Sequence, residues 1–176
     1  NVFYDATDLI NCHSHMTYTM VKDHHPEKTN FIPHAIPRDI YYRLDKQQIQ
    51  LHKKALLGEE KINSFVGIWI NRNAKRKRPS DVLCAWQKFL DKLEEKEGHR
   101  DALLIMHTDP TDNEGPNLFK VSEMLGIKSN VVFSTERLDF KELNILYNIS
   151  DFCINMSYAE GFGLGTLESM MTGTPI

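Results

Sequence analysis

The chain has 176 residues, 41% of them hydrophobic and 26% charged, with a formal net charge of −3. That length builds one well-packed domain and part of a second, and the small net charge gives no global reason to expect nucleic acid or an anionic membrane as a partner. No apolar run reaches about 18 residues, so no spanning helix is expected, and the opening NVFYDATDLI has neither the basic region nor the apolar stretch of a signal peptide.

In chain order, a strand is expected over Asp8–Cys12, with a helix running to about Lys22, and a second strand over Thr29–Pro33. Arg43–Leu57 carries Leu44, Ile49, Leu51 and Leu56, ends at Gly58, and predicts a helix. A strand follows over Ile62–Ile70. Asp81–Lys96 then sets Val82, Leu83, Ala85, Trp86, Phe89, Leu90 and Leu93 on a helical stripe closed by Gly98. Ala102–His107, Asn130–Ser134 and Asp151–Met156 predict further strands, and Asn117–Leu125, Asp139–Asn148 and Gly163–Met171 further helices. Little alternation within the Val-, Ile- and Phe-rich strands suits burial on both faces.

Strand–helix alternation predicts an α/β fold, a Rossmann-like doubly wound parallel sheet. Ligands in such folds sit at the carboxyl ends of strands, where helix N-termini point. The informative loops are therefore NRNAKRKRPS, HTDPTDNEGPN, STERLD and SYAEGFG. Cys12, Cys84 and Cys153 lie far apart, which predicts reduced thiols and a cytoplasmic location. Five histidines precede residue 35, but Cys12, His13 and His15 match no zinc spacing, so no metal is expected.

The segment after the last strand is the most specific. Gly161, Gly163 and Gly165 permit a sharp turn and close approach of a ligand. The helix that follows offers unpaired N–H groups and a positive dipole end, suited to phosphate. Glu160 and Glu168 cannot bind phosphate, but they accept hydrogen bonds from sugar or ribose hydroxyls. A glycine-rich strand–helix turn with two surface glutamates is the alternative. Arg72, Lys75, Arg76, Lys77 and Arg78 follow a strand and read either as ligands for a diphosphate or as a solvated basic loop.

Glu160–Gly161–Phe162–Gly163–Leu164, then Leu167–Glu168, Met170, Gly173 and Pro175, resembles the signature of GT-B-fold retaining glycosyltransferases of family four. The resemblance implies that residues 37–176 are a truncated C-terminal nucleotide-sugar-binding lobe. Residues 1–36 correspond to the end of the N-terminal lobe and the interlobe segment. In NFIPHAI, Ala35 stands where the family usually has glycine, and His34 is read as structural. Further departures fall at Gly165, Ser169 and Met171, and none removes a polar ligand group.

The resemblance implies roles for particular residues. Glu160 is the catalytic-site residue, holding sugar hydroxyls as oxocarbenium character develops, and not a nucleophile. The backbone of Gly161, Phe162, Gly163 and Leu164 meets the donor, and Glu168 binds the ribose. Arg72 and Lys77 carry the family's spacing and clamp the diphosphate, while Lys75, Arg76 and Arg78 face solvent or give general electrostatic support, Arg78 in a position usually held by glycine. Main chain at Arg137 and Leu138 cradles the base. The implied reaction is transfer from a nucleoside-diphosphate sugar to an acceptor hydroxyl with retention, without metal or other cofactor. Donor base, acceptor (saccharide, lipid or protein) and oligomeric state are not readable. Rival readings are a non-catalytic nucleotide-sugar-binding module and a GT-B-fold epimerase or phosphorylase.

Overall fold

The structure is a computed structural model that describes residues 2–176. Contacts divide the chain into two compact units. One is the segment up to Ile36 together with Glu160–Gly163, and the other is Pro37–Ala159 with Leu164–Ile176.

The first unit contains α1 (Val2–Asp5), β1 (Ile10–Cys12), α2 (His15–Lys22) and β2 (Thr29–Phe31). The two strands are parallel, with Ile10 opposite Thr29 and Cys12 opposite Phe31. The Ser14 hydroxyl accepts from the Thr17 amide and caps α2. Ile10, Cys12 and Val21 form a small core against Tyr4 and Tyr18.

The second unit runs α3 (Lys46–Leu57), β3 (Phe65–Ile70), α4 (Pro79–Glu97), β4 (Ala102–His107), α5 (Leu118–Met124), β5 (Val131–Ser134), α6 (Phe140–Ile149), β6 (Phe152–Cys153) and α7 (Leu164–Thr172). Its sheet is wholly parallel in the order β5–β4–β3–β6. The expected α/β, Rossmann-like architecture is the observed one. Strand order grows outward from β3 in one direction through β4 and β5, then reverses to β6. The crevice of such a sheet opens at this reversal, beyond the carboxyl ends of β3 and β6.

Local chemistry sets the element ends. The Asp45 carboxylate and Gln48 side chain form a reciprocal capping box, so α3 starts at Lys46 and leaves Arg43 outside. Asp139 and Glu142 repeat the device at α6. A short 3-10 turn at Glu59–Lys61 delays β3 until Phe65. Pro79 occupies the first turn of α4, where its missing N–H costs nothing. The strand expected over Asp151–Met156 shrinks to two residues because its pairing with β3 ends at Ile68–Cys153.

β3 and β4 are sandwiched between helices. Trp69, Leu104 and Met106 are fully buried with Val82, Leu83, Leu90 and Leu118. At β6, the Asp151 carboxylate accepts from the Val66 amide (2.9 Å) and from Lys53 Nζ (3.2 Å). It thereby joins β6, β3 and α3. Gly67 lets α4 sit close on the sheet, since a Cβ there would lie 2.9 Å from Cζ3 of Trp86. Gly67→Ala is expected to lower stability by about 1–3 kcal/mol through overpacking. A urea midpoint equal to that of the parent would show that the helix has slack.

Candidate functional site

The loop after β3 begins with Arg72. Its guanidinium is bidentate to Asp112, with Nε donating to Oδ2 at 2.8 Å and Nη2 to Oδ1 at 3.2 Å. This pair raises the pKa of Arg72 and, by the same hydrogen bond, lowers that of Asp112. Asp112 comes from the loop after β4, which makes two further ties. Asn73 Nδ2 donates to the Pro116 carbonyl at 2.9 Å, and the Lys75 amide donates to the Glu114 carbonyl at 3.2 Å. Gly115 has no side chain because one would overlap Asn73. The HTDPTDNEGPN loop therefore buttresses the basic loop.

Lys77 closes a 3-10 turn over Lys75–Lys77 and is buried at 8% exposure. The neighbouring cations are not idle. Arg76 Nη1 donates to the Ala159 carbonyl at 3.1 Å, and the Tyr158 amide donates to the Arg76 carbonyl at 2.8 Å. The Arg78 guanidinium lies 4.7 Å from the centre of the Tyr158 ring and its Nε donates to Asp81 at 2.7 Å. Arg78 has φ of 51°, left-handed backbone that accounts for glycine being the usual residue in the resembling family. Arg76 is exposed and Arg78 half-buried, and both also fasten the loop after β3 to Tyr158–Ala159, the residues directly before Glu160.

Glu160, Gly161, Phe162 and Gly163 group with the first unit, while Leu164 and Glu168 lie in the second. Within the first unit the Phe162 ring lies 4.5 Å from that of His34, which stacks on His13 at 4.3 Å. His34 thus has a packing role. Of the three glycines expected to turn the chain, only Gly163 has positive φ, at 82°. It precedes α7, whose first amides have no partners within the helix. Gly165 serves close packing, since a Cβ there would lie 3.3 Å from the Tyr147 hydroxyl.

Glu168 stands on α7 and is half-buried. The Tyr147 hydroxyl, from fully buried α6 side-chain packing, donates to Glu168 Oε2 at 2.7 Å. Burial, reinforced by the Glu168 charge, pushes the Tyr147 phenol far above its usual range. The Tyr41 hydroxyl is buried in the field of the same carboxylate without completing a hydrogen bond. Burial also pushes the Cys153 thiol up to about 11, so it remains protonated. Arg137 and Leu138 line a separate cleft of 460 Å³ with Asp139, Phe140 and Glu142. Tyr147, Asp112 and Tyr158 escape sequence reading because each acts through a partner distant in the chain. Among the described residues no cluster of His, Cys, Asp or Glu is arranged to hold a metal, and no helix is long and apolar enough to cross a membrane.

Residues 49–176 match the family described as Glycosyl transferases group 1. No curated protein matches the chain. Among solved structures, sucrose-phosphate synthase from Thermosynechococcus elongatus is similar at 18% identity and a TM-score of 0.70, over 96% of this chain and 40% of that one. HepE from Anabaena in complex with UDP-glucose is similar at 18% identity and a TM-score of 0.74, over 96% and 44%. The C-terminal domain of a glycosyl transferase group 1 family protein from Francisella tularensis is similar at 21% identity and a TM-score of 0.58, over 78% and 67%. The chain therefore spans less than half the length of the first two, and the likeness is one of fold.

Proposed function

Because the chain belongs to the Glycosyl transferases group 1 family, we propose that it forms the donor-binding part of a retaining glycosyltransferase. It would bind a nucleoside-diphosphate sugar whose glycosyl unit passes to an acceptor hydroxyl. The observation that carries this reading is the convergence of the basic loop after β3 and of Tyr158–Ala159 after β6 on the strand-order reversal between the two strands.

Lys77, Arg72 and the first amides of α7 offset the charge of the departing diphosphate, with no metal in the scheme. Glu168 accepts from the ribose hydroxyls. Glu160 holds the sugar, a role that rests on the sequence resemblance. Main chain at Arg137 and Leu138 flanks the base. Retention follows from attack on the face that the leaving phosphate vacates, which requires no covalent bond to Glu160. HepE was solved with UDP-glucose, so UDP sugars head the donors to be tried. The free thiols of Cys12, Cys84 and Cys153 suit a cytoplasmic setting.

Thermal-shift screening against UDP, GDP, ADP and TDP sugars tests binding and base choice together, and the absence of any shift would remove the donor-site reading. Glu168→Gln is expected to weaken nucleoside diphosphates by about 1–3 kcal/mol while barely affecting pyrophosphate. Equal losses for both would dismiss the ribose role.

A further inference from the structure

We propose that Tyr147 is a positioning residue for Glu168, fixing its carboxylate to receive a ribose diol. This rests on the ribose role given to Glu168 above. A glutamate on a helix surface has three rotatable bonds, and an unrestrained carboxylate samples several orientations. Here the Tyr147 hydroxyl donates to Oε2 at 2.7 Å, a charge-assisted bond.

The donor is itself immobile. Its ring is fully buried and lies edge-on to Tyr41 at 6.2 Å. Its own carbonyl accepts from the Thr174 hydroxyl at 2.7 Å. Thr174 in turn is tied to α7, because the Ser169 hydroxyl donates to its carbonyl at 2.8 Å. Tyr147 thus holds both the carboxylate and the end of the helix that carries it. With one hydrogen bond to Oε2 in place, the carboxylate retains further lone pairs on both oxygens, which suits two adjacent hydroxyl donors. Gly165, one turn earlier on the same helix, leaves room for the phenol oxygen at 3.3 Å from where a Cβ would stand.

The test measures affinities of UDP, GDP, ADP and CDP, and of their 2′,3′-dideoxy counterparts, by calorimetry. Parent, Tyr147→Phe, Glu168→Gln and the double variant are compared. Tyr147→Phe is expected to weaken the ribonucleotides roughly three- to tenfold, the size of one hydrogen bond, and to leave the dideoxy forms unchanged. The double variant should bind ribonucleotides no more weakly than Glu168→Gln alone. Gly165→Ala, which crowds the phenol without removing it, should shift ribonucleotide affinity in the same direction by less. Equal losses of both nucleotide forms in Tyr147→Phe would reduce Tyr147 to a packing role. Parent-like ribonucleotide binding by Tyr147→Phe alongside a weakened Glu168→Gln would overturn the positioning role and leave the ribose reading intact. A Glu168→Gln variant that binds like the parent would overturn the ribose reading itself.

Discussion

Lys77→Ala is expected to weaken nucleoside-diphosphate binding by about 1–3 kcal/mol, roughly five- to 150-fold, the size of a hydrogen bond to a charged group. Lys77 is buried in its 3-10 turn, so its ammonium starts from a restricted set of positions and loses little freedom on binding. Arg72 is engaged before any ligand arrives. Its guanidinium already holds Asp112 through two hydrogen bonds, so a diphosphate must displace or share that carboxylate. Arg72→Ala should therefore cost at most about 1–3 kcal/mol. Asp112→Asn should tighten binding, because it removes the competing charge. Calorimetry on the three variants checks these expectations. Unchanged affinity in Lys77→Ala removes that residue from the site, and weaker binding in Asp112→Asn would mean that Asp112 orients Arg72 and does not compete for it.

A loss of stability is expected away from the site. Asp151→Ala should destabilise the fold by about 1–3 kcal/mol, because it strands a donor on each of two elements. The Val66 amide loses its acceptor, and Lys53, with a side chain only 10% exposed, loses its counter-charge. β6 is two residues long and its ladder with β3 has two registered pairs, so this carboxylate does work that a longer ladder would share. Asp151→Asn retains an acceptor without the charge and should fall between the two. The check is the denaturant midpoint at fixed slope, and a parent-like midpoint in Asp151→Ala refutes the linking role.

Periodicity and composition reveal most of the fold in this chain, since the buried strands β3 and β4 and the amphipathic α4 are encoded in contiguous residues. Element ends are less visible where they depend on side chains folding back, as at Asp45 and Asp139, or on a strand's neighbours, as at β6. The site divides the same way. Gly163, Glu168, Arg72 and Lys77 stand out because each follows a strand within a recognisable local pattern. Tyr147 reads only as a helical core residue, since its hydroxyl partner lies 21 residues away. Asp112 is one polar residue among several in its loop, and nothing local marks it as the partner of Arg72, 40 residues earlier. The basic run is legible as a run of charge and no further. Its charge says nothing of the contacts by which Arg76 and Arg78 hold Ala159 and Tyr158.

That grip changes what the basic run presents to the surroundings. Five cations lie between Arg72 and Arg78, but Arg72 carries Asp112 and Arg78 carries Asp81 as its own counter-ion. Two of the charges are thus met by neighbouring carboxylates, so the attraction reaching beyond a Debye length of about 8–10 Å is smaller than the residue count implies. An anionic ligand gains little from being drawn in across solvent. Its capture rate should accordingly vary only gently with ionic strength, with discrimination left to the short contacts made after arrival.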